Sequence, residues 1–454
     1  MIDNTTIAAI ATPHGTGGVS IIRVSGPESL DTVDRVFRAK SKKALKDVKS
    51  HTLHYGFIKD GDKVIDEVLV SVMRAPNTFT REDTVEVNCH GGLMVTERVL
   101  SLILANGARL SAPGEFTKRA FLNGRLDLSQ AEAVIDIINS PSNLALSSAA
   151  NQLGGALSAE INTLRDTVLE SLAKINANLD YPEEDMDEYE SGELLKDLER
   201  VKNRLNELLS TASRGRLIRD GIDTVICGKP NVGKSSVLNL LARESRAIVT
   251  DIAGTTRDVI EERITIEDIV LNVFDTAGIR ETDDKIESLG IDKSKEYIEK
   301  AELVLFVVDS SKALSNEDME IFKSIKDKNV IVLFNKTDLG EMESTAFDGF
   351  DTVALSAKTG FGLKALSDKI TEKFKLGEIC ARDSAVITNL RHKEALNHAY
   401  TSVFKAYDAL SLGMPHDLVS IDLTDCAAHL GEITGKTVAE EIVDKIFARF
   451  CLGK

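Results

Sequence analysis

The stretch GKPNVGKS, residues 228–235, decides the fold of the central part of the chain. It fits the pattern GxxxxGKS, follows the apolar run TVIC at residues 224–227 and precedes a helical run at residues 236–242. In this strand–loop–helix setting the glycines let backbone N–H groups turn toward phosphate, and the helix N-terminus adds positive potential. The stretch therefore predicts a phosphate-binding loop in which Lys234 reaches the β- and γ-phosphates of a nucleotide and Ser235 binds Mg²⁺.

Apolar segments alternate with helical ones on either side of this loop. Such βαβ periodicity implies a mainly parallel sheet that is covered on both faces. We therefore predict a doubly wound P-loop domain over residues 218–380. Its predicted strands are residues 223–227, 269–274, 303–308, 330–334 and 352–355.

Base selection is predicted by NKTD at residues 335–338 and SAK at residues 356–358. The carboxylate of Asp338 can accept hydrogen bonds from N1–H and the 2-amino group of guanine. Adenine lacks this donor pair and would leave the carboxylate unpaired, so the site discriminates strongly. The SAK segment offers a backbone N–H to guanine O6. Together these motifs predict a GTP-binding hydrolase.

Two further motifs complete the nucleotide site. DTAG at residues 275–278 supplies Asp275 on the Mg²⁺ side, and GTTRD at residues 254–258 supplies Thr256 as a second Mg²⁺ ligand. The residues predicted to contact GTP are Asn231, Val232, Gly233, Lys234, Ser235, Ser236, Gly254, Thr255, Thr256, Asp275, Thr276, Ala277, Gly278, Asn335, Lys336, Asp338, Ser356, Ala357 and Lys358.

Hydrolysis needs a group that orients water, and the position after Gly278 is Ile279, which cannot do so. Glu281 and Glu287 lie just downstream. The amide oxygen of Asn231 could hold a monovalent cation beside the phosphates, where it would do the electrostatic work of an arginine finger. The residues alone leave both choices open.

The chain length, net charge and composition restrict the domain number and exclude several classes of function. A chain of 454 residues suggests two or three domains, and a net charge of −17 argues against nucleic-acid binding by the overall field. Five cysteines without CxxC spacing argue against disulfides and zinc. Apolar runs stay below the roughly 20 residues of a bilayer span, and we see no targeting segment. We expect a cytoplasmic protein without membrane association.

Several features allow two interpretations. The acidic stretch at residues 182–188 is either a solvated loop or a cation site. His14 and His90 are structural or catalytic, and structural is favoured; Cys89 and Cys227 are interpreted as core residues. One basic stretch is either a solvated helix face or an RNA contact: Arg35, Arg38, Lys40, Lys42, Lys43, Lys46 and Lys49.

Periodicity divides the rest of the chain. Residues 1–120 are mixed α/β, with β-rich runs at 19–24, 64–73 and 84–88 and a helix at 93–105. Helical spacing fills residues 121–217, in runs at 126–138, 144–179 and 194–209, and returns in residues 381–454. The simplest architecture is a helical domain that is split in sequence by the α/β domain.

The whole chain resembles the MnmE (TrmE) family of tRNA modification GTPases, which belong to the TrmE-Era-EngA-like potassium-dependent GTPases. Besides the GTPase motifs, the resemblance is carried by residues 11–13 with 17–19, PGEF at 113–116 running into 119–124, LDLSQAEA at 126–133, TDIAGTTRD at 250–258 and CLGK at 451–454.

The resemblance implies a multidomain α/β fold. Its parts are an N-terminal α+β tetrahydrofolate-binding-like domain that forms a homodimer, a discontinuous α-helical domain and an inserted P-loop G domain. The implied function is to install a carboxymethylaminomethyl-type group at C5 of the wobble uridine of certain tRNAs. An MnmG-like flavoprotein would form a hetero-oligomer with the chain and supply FAD, and 5-formyl- or methylene-tetrahydrofolate would supply the carbon.

The resemblance also assigns residues. Asn231 matches a K⁺ ligand, with the carbonyls of Thr250, Ile252 and Thr255, and GTP contacts extend to Thr250, Asp251, Ile252 and Ala253. Glu287 matches the glutamate that positions water. Arg23, Glu86, Arg125 and Lys454 match folate contacts. Cys451 matches a cysteine of the modification step; its chemistry alone also fits a buried structural thiol.

A regulatory GTPase switch, such as a ribosome-assembly factor, is the competing hypothesis. It predicts no folate binding and no need for Cys451, and it leaves the first 120 residues and the CLGK segment unexplained.

Overall fold

The computed structural model describes residues 5–180, 188–244, 262–274, 296–340, 345–376 and 385–454. The chain forms two compact units. The first comprises Met1–Ile135 with Gly431–Lys454, and the second comprises Asp136–Leu430. Of the helices in the described ranges, none is both long enough and apolar enough to cross a membrane.

The first unit contains a seven-stranded sheet of order β3-β4-β5-β6-β2-β1-β7, which is antiparallel except for the parallel pair β1–β7. Helices α1 and α2 pack on it through Val33, Val99 and Ile103, which are fully buried. The elements are β1 (Ile7–Ile10), β2 (Val19–Ser25), α1 (Ser29–Val36), β3 (Phe37–Ala39), β4 (Thr52–Asp60), β5 (Lys63–Met73), β6 (Thr84–His90), α2 (Leu93–Ala105), β7 (Arg109–Leu110), α3 (Glu115–Leu122) and α4 (Leu128–Ile138).

The second unit holds a six-stranded sheet of order β13-β12-β11-β8-β10-β9, parallel except for the pair β9–β10. Its central strand is buried along its whole length, and separate hydrophobic clusters cover its two faces. This confirms the predicted mainly parallel sheet. Its strands are β8 (Ile222–Cys227), β9 (Glu262–Ile266), β10 (Ile269–Phe274), β11 (Leu303–Asp309), β12 (Val330–Asn335) and β13 (Asp351–Ala354).

The other regular elements of the described ranges are helices, including the short 3₁₀ helices Leu45–Asp47 and Thr345–Phe347. Residues 296–300 are also helical. Helix α7 packs along α11, and α6 packs against both α5 and α7. The bounds are α5 (Asn143–Leu153), α6 (Ala156–Asp180), α7 (Glu188–Asp220), α8 (Lys234–Glu244), α9 (Asn316–Ile325), α10 (Leu363–Lys373), α11 (Leu390–Ser411), α12 (His416–Thr434) and α13 (Glu440–Phe447).

Two sequence predictions differ from the structure. The helical run at residues 144–179 is broken between α5 and α6, because Gly155 adopts a φ of +91° that ends the first helix. The basic stretch is not a helix face, since Arg35 alone of its members lies in α1. Arg38 lies in β3, Lys42 lies in a turn with a φ of +60°, and Lys46 lies in the short 3₁₀ helix Leu45–Asp47.

Candidate functional site

The phosphate-binding loop begins where the buried strand β8 ends, and its shape requires glycine at two positions. Gly228 has a φ of +145°, and a Cβ there would lie 2.4 Å from the carbonyl oxygen of Val307 on the neighbouring strand. Gly233 has a φ of +100°, and its Cβ would lie 2.4 Å from Nδ2 of Asn335. A side chain at either position would push the loop away from its supporting strands.

Lys234 is the first residue of α8, and its ammonium turns back over the loop. Its Nζ donates to the carbonyls of Gly228 at 2.7 Å and of Lys229 at 3.0 Å. Burial lowers the pKa of Lys234. Ser235 and Ser236 follow in the first helical turn and are exposed. The loop thus presents a cation and two hydroxyl-bearing residues beside a helix N-terminus, where phosphate binds favourably.

Asn335, at the end of β12, ties the loop to the predicted base-recognition segments. It is buried; its Nδ2 donates to the carbonyl of Val232 at 2.9 Å, and its Oδ1 accepts from the N–H of Ala357 at 3.0 Å. One side chain therefore fixes the distance between the phosphate loop and residues 356–358.

Lys336 makes a second link from the same segment. It has a φ of +67°, and its Nζ donates to the carbonyl of Asn231 at 2.8 Å and to Oδ2 of Asp309 at 2.7 Å. Burial works against the charged form of Asp309, yet Lys336 and Ser311 bring its pKa to about 2. Asp309 was not among the predicted site residues, although its place at the carboxyl end of a parallel strand was a usable signal.

Asp338 is exposed at this edge of the sheet, and its orientation is set by a neighbour. The buried Ser356 hydroxyl donates to Oδ1 of Asp338 at 2.7 Å. The Ser356 N–H donates to the carbonyl of Phe361, and the Ala357 N–H donates to Asn335. Within the ranges that the structure describes, the Lys358 N–H donates to no protein acceptor, which leaves it available to a ligand.

The remaining predicted residues of the nucleotide site lie outside the described residues, as does most of the acidic stretch 182–188. They are Thr250, Asp251, Ile252, Ala253, Gly254, Thr255, Thr256, Asp275, Thr276, Ala277, Gly278 and Glu287.

A second cluster lies in the first unit, where residues 451–454 dock beside α3. The N–H of Phe116 donates to the carbonyl of Lys454 at 3.2 Å, and the N–H of Gly114 donates to that of Cys451 at 3.4 Å. Gly453 has a φ of +87°, and a Cβ there would lie 2.1 Å from the carbonyl oxygen of Ile10. Only glycine permits this approach to β1.

The docked segment meets an ion pair on the sheet. Arg23 and Glu86 are direct cross-strand partners on β2 and β6; Nε of Arg23 lies 2.8 Å from Oε1 of Glu86 and its Nη1 donates to the carbonyl of Gly453 at 3.4 Å. Lys454 is half-buried here, and burial together with the charge of Arg23 lowers its pKa. The structure therefore brings Arg23, Glu86, Lys454 and the exposed Cys451 to one place.

An open cavity of about 710 Å³ lies in the same unit. The ring of Phe79 lies 5.9 Å from the guanidinium carbon of Arg23 and 4.8 Å from that of Arg125. Phe79 thus links the cavity to the ion pair. A single aromatic residue in a loop gives no pattern, so the sequence offered no signal for it. The lining residues are Met73, Pro76, Asn77, Thr78, Phe79, Arg81 and Arg125.

The structure also places the other cysteines and histidines that the sequence singled out. Cys89 and Cys227 are buried, which confirms them as core residues, and burial raises the pKa of Cys227 to about 12. His90 pairs with Asp66 at 2.6 Å between Nδ1 and Oδ1, and this hydrogen bond raises the pKa of His90. The pair fixes the end of β6. His14 is exposed.

Comparisons with known proteins cover the whole chain. Two family models match it: the MnmE helical domain over residues 128–451 and the GTP-binding protein TrmE N-terminus over residues 6–125. Proteins named tRNA modification GTPase MnmE are 48% identical in Acetivibrio thermocellus and 50% identical in Geobacillus thermodenitrificans, and each alignment covers 100% of both chains. Among solved structures, Era in complex with MgGDPNP and a 16S ribosomal RNA segment is 31% identical, covering 33% of this chain and 55% of that one with a TM-score of 0.24.

Proposed function

The chain belongs to the MnmE family of tRNA modification GTPases, and from this premise we propose that it installs a carboxymethylaminomethyl-type group at C5 of the wobble uridine of certain tRNAs. It acts in the cytoplasm as a homodimer. An MnmG-like flavoprotein joins it in a hetero-oligomer and supplies FAD, and a 5-formyl- or methylene-tetrahydrofolate supplies the one-carbon unit. GTP hydrolysis drives a conformational step that is coupled to this chemistry.

The domain roles follow the sequence divisions. Residues 1–120 form the folate-binding, dimerising domain. Residues 121–217 and 381–454 form one discontinuous helical domain that ends in the CLGK segment. Residues 218–380 form the G domain, whose opening and closing within the dimer responds to the nucleotide.

One observation carries the proposal: the docking of residues 451–454 beside Arg23 and Glu86, which lie more than 360 positions earlier in the sequence. A pure binding switch has no use for a thiol and an ammonium held against a polar pocket. A folate-dependent enzyme does, because its cofactor needs cations for its carboxylates and polar groups for its ring edge. This favours the enzyme over the regulatory switch.

In the G domain, Lys234 binds the β- and γ-phosphates, and the hydroxyls of Ser235 and Thr256 are Mg²⁺ ligands. Mg²⁺ neutralises charge that develops on the phosphates. Asp338 and the Lys358 N–H select guanine. Asn231 suits a K⁺ ligand because its carbonyl is held by Lys336 while its amide forms no hydrogen bond among the described residues. The carbonyls of Thr250, Ile252 and Thr255 complete that ligand set, and Glu287 orients the attacking water.

In the first unit, Arg23, Glu86, Arg125 and Lys454 bind the folate, and Phe79 offers an aromatic face between the two arginines. Cys451, whose thiol is exposed at this site, takes part in the modification step.

Folate binding tests this function in the full-length chain. Wild-type protein titrated with 5-formyl-tetrahydrofolate by calorimetry should bind. Arg125→Ala should weaken binding about tenfold or more, because a charge-assisted contact and one wall of the pocket are lost. Arg98→Ala is the matched control: it removes an exposed arginine of the same unit that pairs with Asp60, and its affinity should equal that of the wild type.

Two results would count against the enzyme. A wild-type chain without folate affinity favours the regulatory switch. Equal weakening by Arg125→Ala and Arg98→Ala would mean that the cationic pocket around Phe79 is not the folate site.

A further inference from the structure

A compact basic surface on the first unit is left unused by the GTP and folate sites. Residues 35–49 contain seven basic side chains and one acidic one, Asp47, in a chain whose net charge is −17. All seven are exposed. We call this surface the basic edge, since it flanks β3, an edge strand of the seven-stranded sheet. Its members are Arg35, Arg38, Lys40, Lys42, Lys43, Lys46 and Lys49.

The backbone of the basic edge is held in a defined shape. Both carboxylate oxygens of Asp34 accept from the N–H of Leu45, at 2.9 and 2.8 Å. The guanidinium of Arg74 donates to the carbonyls of Leu45, Lys46 and Val48, at 3.3, 2.6 and 3.3 Å. Leu45 and Val48 are buried, so the lysines between and around them point to solvent. The cations are presented by an ordered loop, which lowers the entropy lost when a partner binds.

Most of these cations remain uncompensated within the chain. Lys40 lies 5.3 Å from the ring centre of Tyr55, and Arg35 lies 3.8 Å from Glu28. In the described part of the chain, Lys42, Lys43, Lys46 and Lys49 form no ion pair. Neighbouring like charges without partners repel one another. This repulsion falls when a nucleic acid binds, and the cations condensed along its phosphates are released.

We propose that the basic edge is the surface on which this protein binds the phosphate backbone of tRNA. The family acts on tRNA, and phosphate contacts by lysine and arginine supply most of the affinity of such complexes without reading sequence. The chain as a whole has a net charge of −17, which disfavours nucleic-acid binding by its overall field and makes a local basic surface necessary. The inference rests on the proposed function and adds to it the surface that receives the substrate.

Charge reversal at three exposed lysines tests the proposal: Lys42→Glu, Lys43→Glu and Lys46→Glu together. Binding of a fluorescently labelled tRNA transcript to the full-length chain is followed by anisotropy between about 50 and 200 mM salt. The variant should bind at least about tenfold more weakly at the lowest salt. The slope of log Kd against log salt should fall by roughly two, because each lost phosphate contact removes about 0.7 to 0.9.

Two matched variants separate this effect from a general change of charge. Replacement of Lys42, Lys43 and Lys46 by arginine keeps the charge and should keep both affinity and slope. Reversal of three exposed lysines of the second unit changes the net charge equally and should leave the slope unchanged; these are Lys323→Glu, Lys326→Glu and Lys364→Glu.

The proposal is overturned if both reversal triples weaken tRNA binding equally, or if the first triple does not weaken it. It is also overturned if the wild-type chain binds no tRNA at low salt. Weakening confined to complex formation with the flavoprotein would also overturn it and make the basic edge a protein interface. Folate and GTP binding of the first triple should equal those of the wild type. If the wild-type chain does not bind folate, this result counts against the proposed function and not against the role of the basic edge.

Discussion

Asp338→Ala should lower the affinity for GTP by roughly 10²- to 10⁴-fold while leaving the weak affinity for ATP unchanged. The carboxylate is proposed to accept two hydrogen bonds that only guanine can donate, and its orientation is fixed by the Ser356 hydroxyl at 2.7 Å. Calorimetric titration with GTP, GDP and ATP measures the change. The variant should fold normally, because Asp338 is exposed and forms no ion pair among the described residues.

Two companion variants calibrate this result. Ser356→Ala frees the carboxylate without removing it and should weaken GTP binding by about tenfold. Asp348→Ala removes another exposed carboxylate of the same domain and should have no effect. If Asp338→Ala still bound GTP within threefold of the wild type and still rejected ATP, base selection would lie elsewhere.

Glu287→Ala should lower the rate of GTP hydrolysis at least about 10²-fold and leave GTP affinity within threefold of the wild type. The reason is chemical. Ile279 occupies the position where Ras-like GTPases carry a water-orienting glutamine, so another polar group must orient the water. We propose that Glu287 is this group, and its contribution would arise only in the transition state. Single-turnover hydrolysis with excess enzyme measures the step directly.

Glu281→Ala is the control, because Glu281 also follows Ile279 in the sequence and carries the same carboxylate group. Its hydrolysis rate should match that of the wild type.

Exchange of KCl for NaCl at equal ionic strength should slow GTP hydrolysis by the wild type strongly, since the larger K⁺ ion fits the proposed ligand set of Asn231 and the loop carbonyls. A fully active Glu287→Ala would contradict the assignment, and equal rates in the two salts would contradict the role of Asn231.

The nucleotide site shows what a sequence can predict. The segment GKPNVGKS after an apolar strand predicts a phosphate-binding loop in which glycines allow unusual backbone angles. The structure contains this loop, with Gly228 and Gly233 at φ values of +145° and +100°. Strands β8, β10, β11 and β12 were predictable because they are rich in apolar residues and are buried on both faces over most of their length. The short strand β9, in which only Ile264 and Ile266 are buried, was missed.

Contacts between distant residues were beyond the sequence. Nothing in a linear pattern pairs Asn335 with Val232 and Ala357, or Lys336 with Asp309, because side-chain reach depends on the finished sheet. The docking of residues 451–454 entered only through a family resemblance. The basic stretch was visible as charge, but its shape was not, because the shape depends on hydrogen bonds with Asp34 and Arg74 that a linear pattern does not show.

The modification of tRNA itself tests the central claim most directly. The purified chain is incubated in KCl with the proposed flavoprotein partner, GTP, a methylene-tetrahydrofolate, an amine donor and a tRNA with a wobble uridine. The digested nucleosides are then measured by mass spectrometry. The account predicts a mass increase on the wobble uridine in the complete reaction, and its loss when folate is omitted, when NaCl replaces KCl or when Glu287→Ala replaces the wild type. An unmodified uridine in the complete reaction, or a modified one that forms without GTP hydrolysis, would contradict it.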